Sequence, residues 1–71
     1  MTVRELIACF CYIPEEISCS DESTGEYEDI VRDGDYNQFQ FDLHDLLIKY
    51  GDKEVTEWYY NYEENYLSIE V

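Results

Sequence analysis

The sequence predicts one small α+β domain, with two helices packed on one face of a mainly antiparallel sheet of four to five strands. Two stretches carry apolar residues at helical spacing, and the segments between and after them are rich in β-branched and aromatic residues at alternating spacing. A chain of 71 residues is long enough for one domain, which we assign to residues 1–71. Helices and strands are predicted in the order αβββαββ.

The first predicted helix runs from Val3 to Cys11. Thr2 and Glu5 have the spacing of a capping box, in which each side chain bonds the backbone N–H of the other residue. The helix should end before Pro14, because the residue preceding a proline is pushed out of the helical region. Residues two apart on a helix diverge by about 200°, so we expect only one of Cys9 and Cys11 to face the core.

Strands are predicted next, and a tight turn joins the last two. Asp33-Gly34 is typical of a two-residue hairpin turn, in which both central residues need positive φ. Alternation in the strand after this turn places Phe39 and Phe41 on its inner face. The three predicted strands are Ile17–Ser20, Glu26–Val31 and Tyr36–Phe41.

The second predicted helix lies between this hairpin and two further strands. Asp42 is its predicted N-cap, and Gly51 has the position of a left-handed residue that ends a helix. The strands that follow are Glu54–Tyr62, which is strongly aromatic, and Tyr66–Val71. The apolar stripe of this helix consists of Leu43, Leu46, Leu47 and Tyr50.

The net charge is the most unusual property of the sequence. Eighteen Asp and Glu stand against four Lys and Arg, which gives a formal charge of −14. A magnitude of about 2–8 suffices for the solubility of a small domain, and the excess destabilises the folded state by self-repulsion. The charge therefore argues against direct binding of nucleic acid or an anionic membrane, and it favours a basic protein surface or cations as the partner.

No motif indicates catalysis, a cofactor or a metal, so we do not expect an enzyme. The three cysteines do not form a disulfide framework, and the only histidine, His44, is expected on the surface of the second helix. The run from Asp29 to Asp35 lacks the alternating oxygen ligands of a calcium loop, because Val31 stands at the third position. No run of about 18 apolar residues could cross a membrane.

We expect the binding surface to lie on and around the hairpin at Asp33-Gly34, with further acids beside it or in a second patch. Carboxylates interleaved with exposed tyrosines present negative charge and flat aromatic surface, as the phosphates and bases of nucleic acid do. The predicted partner-binding residues are Asp21, Glu22, Glu26, Glu28, Asp29, Asp33, Asp35, Tyr36, Glu57, Glu63 and Glu64.

In size, charge and style the chain resembles small acidic proteins of phages and mobile elements. The opening MTVRELI, the run DLLIKYGDKEVTEWYY and the ending NYLSIEV carry this resemblance over the 71 residues. That group includes anti-CRISPR proteins and anti-restriction DNA mimics. The resemblance implies an inhibitor in the cytoplasm of a bacterial host, where it would occupy the nucleic-acid channel of a CRISPR effector or restriction complex.

An alternative interpretation gives the acidic residues no role in recognition. The protein would then be a small accessory protein that oligomerises through the aromatic strand, and its charge would serve only solubility. A third hypothesis, a small enzyme or metal protein, has the least support from the sequence.

Overall fold

The computed structural model describes residues 1–71 and contains two helices and four strands in the order αββαββ. This confirms the α+β class, while the predicted order αβββαββ is wrong by one strand. The elements are α1 (Val3–Ala8), β1 (Glu16–Asp21), β2 (Glu26–Val31), α2 (Tyr36–Tyr50), β3 (Glu57–Asn61) and β4 (Tyr66–Glu70).

The four strands form a mixed sheet in the order β2-β1-β4-β3. Each outer strand pairs antiparallel with the hairpin partner next to it, and the two central strands, β1 and β4, are parallel. The sheet is therefore an assembly of two hairpins joined along a parallel pair. The sequence predicted a mainly antiparallel sheet and did not predict the parallel pairing of β1 with β4.

One cluster of twelve buried residues forms the core. Its sheet members lie at alternating positions, and the register places Ile17 beside Leu67 and Cys19 beside Ile69 on the same face. The helices supply the remainder of the cluster: Val3, Leu6, Ile7, Phe39, Leu43, Leu46 and Tyr50.

Helix α1 begins as the sequence predicts and ends earlier. The Thr2 side chain accepts from the Glu5 N–H at 3.2 Å, and the Glu5 side chain accepts from the Thr2 N–H at 2.8 Å. The helix ends at Ala8 with Cys9 as its C-cap, so it stops short of Cys11. Both Cys9 and Cys11 are exposed, which contradicts the expectation that one of them faces the core.

The predicted strand Tyr36–Phe41 is instead the start of α2. Asp35 is the N-cap, because its side chain accepts from the Gln38 N–H at 3.0 Å, so the prediction of Asp42 as N-cap is wrong. Phe39 is fully buried and continues the apolar stripe of the helix by one turn, whereas Phe41 is 68% exposed. The apolar residues of this short segment fit both the two-residue period of a strand and the 3.6-residue period of a helix. Packing of Phe39 in the helical stripe decided between the two.

The structure also contradicts the predicted hairpin at Asp33-Gly34 and the predicted left-handed conformation of Gly51. Asp33-Gly34 lies in the connection from β2 to α2, where Gly34 has a φ of 77°, and no hairpin forms there. Gly51 has a right-handed φ of −54°. It is required for space, because a Cβ at this position would clash with the Leu47 carbonyl oxygen and the Arg4 guanidinium. Neither helix has the length and apolar composition needed to span a membrane.

Candidate binding surface

The sheet face that points away from the core carries no helix, and we call it the open face. Side chains alternate between the two faces of a strand, so the residues between the core positions belong to this face. The pairing arranges them in three rows of four across the sheet. From β2 to β3 the rows are Tyr27–Ser20–Glu70–Glu57, Asp29–Ser18–Ser68–Tyr59 and Val31–Glu16–Tyr66–Asn61.

The open face combines carboxylates, tyrosines and hydroxyl groups and contains no Lys or Arg. Serines occupy its centre, and the Ser18 and Tyr66 hydroxyls share a hydrogen bond of 2.6 Å. Tyr27 and Tyr59 lie on the two outer strands and are 62% and 63% exposed. A small centre between large outer rings makes this face a shallow surface on which a partner group could contact rings and carboxylates together.

Two pairs of carboxyl groups lie close together on the open face. Glu57 and Glu70 are directly opposite in the β3–β4 register, a placement in which like charges destabilise a sheet. Partial burial, then the negative charges of Glu57 and Glu22, raise the pKa of Glu70 above its ordinary value. Hydrogen bonding with the Asp29 carboxyl, followed by burial, raises the pKa of Glu16. In each pair, burial, hydrogen bonding and the neighbouring negative charge together oppose the ionisation of one carboxyl group.

All four Lys and Arg side chains are ion-paired on the side of the molecule that carries the helices. The shortest pair joins Lys53 Nζ to an oxygen of Asp21 at 2.7 Å. Asp21 is only 4% exposed, and its hydrogen bonds from Lys53 and then Ser23 hold its pKa well below the usual range. The other side-chain pairs are Lys49 with Glu26 and Glu28, Arg32 with Glu15, and Arg4 with Asp52.

These ion pairs reduce the role of three predicted binding residues. Asp21 is buried and bonded to Lys53, while Glu26 and Glu28 share Lys49 at 3.4 and 3.0 Å. Lys53 neutralises Asp21, whereas the single charge of Lys49 offsets one of the two charges of Glu26 and Glu28. These acids stabilise the packing of α2 and its C-terminal turn beside the β1–β2 hairpin, and they offer less charge to a partner than unpaired acids do.

The remaining predicted residues are spread over separate parts of the surface. Asp33, Asp35 and Tyr36 lie where β2 connects to α2, and Asp35 is engaged as the N-cap. Because the predicted hairpin does not form, these residues do not protrude from the sheet as one acidic unit. Glu22 lies in the β1–β2 turn, and Glu63 and Glu64 lie in the β3–β4 turn.

Only Asp29 and Glu57 of the predicted set belong to the open face, where they lie on opposite outer strands. Glu16 and Glu70, on the central strands, complete the group of four carboxylates and were not among the predicted binding residues. Their signal was present in the alternation of polar and apolar residues in β1 and β4. What the sequence did not show is that these two strands are neighbours.

The rest of the molecule offers no clear chemical centre. No three His, Cys, Asp or Glu side chains are grouped so as to hold a metal ion. Burial raises the pKa of the Cys19 thiol to about 11, which keeps it in the unreactive protonated form at neutral pH. His44 is exposed on α2.

Comparison with protein-family models, curated proteins and solved structures finds no match to this chain. Its description therefore rests on its own fold and surface: a small α+β protein with an acidic, cation-free sheet face.

Proposed function

We propose that this protein binds, without chemistry of its own, to a basic nucleic-acid-binding surface of another protein. The observation that carries the proposal is the composition of the open face, which has four carboxylates and no cation. Like charges held close together cost stability, and a cationic partner would remove that cost on binding. Carboxylates beside tyrosine rings would meet the Lys, Arg and aromatic groups that otherwise contact phosphates and bases.

The resemblance to acidic phage and mobile-element proteins extends the proposal to a class of partner. By occupying the nucleic-acid channel of a CRISPR effector or restriction complex in the bacterial cytoplasm, the protein would act as an inhibitor. Electrostatic steering would make the association fast and sensitive to salt, while desolvated charge pairs would determine its lifetime.

Charge reversal on the open face tests this proposal against bulk charge. The double variant Glu16→Lys/Glu70→Lys places cations beside Asp29 and Glu57 and should therefore keep the fold. The matched control, Asp33→Lys/Asp45→Lys, changes the net charge equally at exposed acids outside the open face and without cation partners. We expect the first variant to lose about 10-fold to 100-fold in partner affinity, and the control only a few-fold, mainly in association rate.

The experiment begins with a pull-down from bacterial lysate at low and high salt. Captured proteins are then assayed for binding to a DNA or RNA duplex with and without the acidic protein. Displacement of the duplex by the wild type, but not by Glu16→Lys/Glu70→Lys, supports the proposal. Equal loss in both variants would mean that only net charge matters, and a captured partner that keeps its duplex would contradict nucleic-acid mimicry.

Self-association is a second candidate, which the outer strand β3 favours. Trp58 and Tyr59 on this strand are 51% and 63% exposed, and Tyr62 just beyond it is 86% exposed. Pairing of two β3 edges would shield these rings. Sedimentation equilibrium at low and high salt measures it directly: a dimer in the micromolar range that Trp58→Ala abolishes would favour this function.

A further inference from the structure

An aromatic groove lies beside β3, away from the open face. It is an open, shallow groove where the segment after α1 meets the end of β3 and the β3–β4 turn, and its volume is about 580 Å³. This volume is in the range of small-ligand sites, about 300–1,000 Å³. The groove is lined by Phe10, Cys11, Tyr12, Tyr60, Tyr62 and Asn65.

The floor of the groove is fixed by packing and by a hydrogen bond. The Phe10 and Tyr60 ring centroids are 5.1 Å apart with the rings tilted by 55°, a favourable aromatic contact. The Tyr60 hydroxyl donates to Asn65 Oδ1 at 2.6 Å. Asn65 adopts a φ of 53°, the left-handed conformation that Asn tolerates, in the turn before β4. Two rings are thus held in place before any partner arrives.

The walls of the groove are far more exposed than its floor. Tyr12 and Tyr62 are 89% and 86% exposed, the highest values among the large apolar and aromatic side chains. Neither tyrosine makes a side-chain hydrogen bond within the molecule. Glu63 and Glu64 follow Tyr62 directly and are exposed, and no Lys or Arg lines the groove. The groove therefore presents ring faces in a negatively charged setting.

Resting on the proposed binding of a basic partner, we propose that the aromatic groove accepts an arginine side chain of that partner. A guanidinium is planar and weakly hydrated, so it stacks on aromatic rings more readily than an ammonium does. The net charge of −14, with Glu63 and Glu64 directly after Tyr62 in the chain, complements the charge of a guanidinium. The proposal adds a second, arginine-selective contact to the acidic open face.

A second copy of the chain is poorly suited to this groove. Its only arginines, Arg4 and Arg32, are already paired with Asp52 and Glu15. Arg32 also lies over the Phe39 ring at 6.0 Å, and both copies would bring a charge of −14. A basic partner protein therefore suits the groove better than a second copy does.

The test compares hexa-arginine with hexa-lysine, which carry equal charge, by calorimetric titration of the full chain at low salt. We expect wild type to bind hexa-arginine more tightly. Tyr12→Ala/Tyr62→Ala should weaken hexa-arginine binding by about fivefold to thirtyfold, the factor that cation–π contacts provide, and change hexa-lysine binding little. The matched control Phe41→Ala/Ile48→Ala removes two exposed apolar side chains from α2, 68% and 71% exposed, and should bind as wild type does.

Equal binding of both peptides, or an unchanged affinity in Tyr12→Ala/Tyr62→Ala, would overturn the arginine site. If the groove proposal failed in this way but Glu16→Lys/Glu70→Lys still weakened peptide binding, only the open face would remain as a proposed binding site. Absence of binding by either peptide at low salt would reject both proposals. Sedimentation equilibrium tests self-association as the other outcome. If the wild type were a dimer and Tyr12→Ala/Tyr62→Ala a monomer, the groove would be assigned to self-association.

Discussion

The two faces of the sheet use the same four strands for opposite purposes. On the helix side, Ile17, Cys19, Leu67 and Ile69 are at most 1% exposed and fill the core. On the open face, the residues that alternate with them are serines, tyrosines and acids. Alternation with period two allows one strand to hold the fold together on one face and to display charge on the other.

Charge compensation differs between these two sides as strongly as hydrophobicity does. Near the helices every Lys and Arg has an acidic partner, and the buried carboxylate of Asp21 is paired with Lys53. On the open face carboxyl groups adjoin one another, and the pKa values of Glu16 and Glu70 rise. The ion-paired acids near the helices therefore serve stability, whereas the adjoining acids of the open face reduce it, and this contrast supports our proposal that the open face binds the partner.

The largest expected effect contrasts neighbouring residues of β4 that face opposite sides. Leu67 is fully buried, so Leu67→Ala should lower the free energy of unfolding by about 2–5 kcal/mol. Ser68 lies on the open face, and Ser68→Ala should change it by less than about 0.5 kcal/mol. Urea unfolding measures both. If both variants lost a similar free energy of unfolding, Ser68 would be packed as Leu67 is, and the open face would be covered by protein.

A smaller effect is expected when Asp21 loses its cation. Because Lys53 lowers the folded pKa of Asp21, this pair stabilises the fold above the ordinary aspartate pKa, and its contribution is lost as pH falls through the folded value. Lys53→Met should therefore destabilise the protein at pH 7, and the difference from wild type should shrink below about pH 4. A pH-independent difference would indicate that Lys53 acts instead through its contact with the Tyr50 ring, whose centroid is 5.6 Å from Lys53 Nζ.

The smallest expected effect concerns the carboxyl pairs of the open face. Groups with raised folded pKa values bind protons more tightly when folded, so stability should increase as pH falls from 7 toward about 5. Glu16→Gln/Glu70→Gln should flatten this increase, whereas Asp33→Asn/Asp45→Asn should leave it in place. Urea midpoints across this window measure it. A steady decrease in wild type would mean that favourably bonded carboxylates dominate.

Local signals in the sequence were sufficient for the parts of the fold that depend on neighbouring residues. The capping box of Thr2 and Glu5, the stripe from Leu43 to Tyr50 and strand β2 all correspond to the structure. The segment Tyr36–Phe41 fitted both a strand and a helix. Its helical state depends on the burial of Phe39 beneath Arg32 and among core side chains, which no local pattern reveals.

The binding surface was harder to predict, because it is formed by four strands at once. Acids close to Asp33 in sequence were assumed to be close in space, yet Glu26 and Glu28 turn to Lys49 while Asp29 points to the other face. Glu16 and Glu70 are 54 residues apart and lie on adjacent strands, with Ser20 facing Glu70. Glu16 adjoins Asp29 and Glu70 adjoins Glu57, each within its own hairpin, and the parallel pairing of β1 and β4 places these two carboxyl pairs on one face of the sheet.

The sequence by itself determined the α+β class and an excess of negative charge that four basic residues cannot neutralise, since these follow from composition and local periodicity. Only the tertiary structure decided which acids are neutralised and which remain free. The parallel pairing of β1 and β4 places two distant strands side by side, and the helices cover one face of the resulting sheet. The four Lys and Arg residues of the chain stay on that covered side, so the opposite face retains its charge.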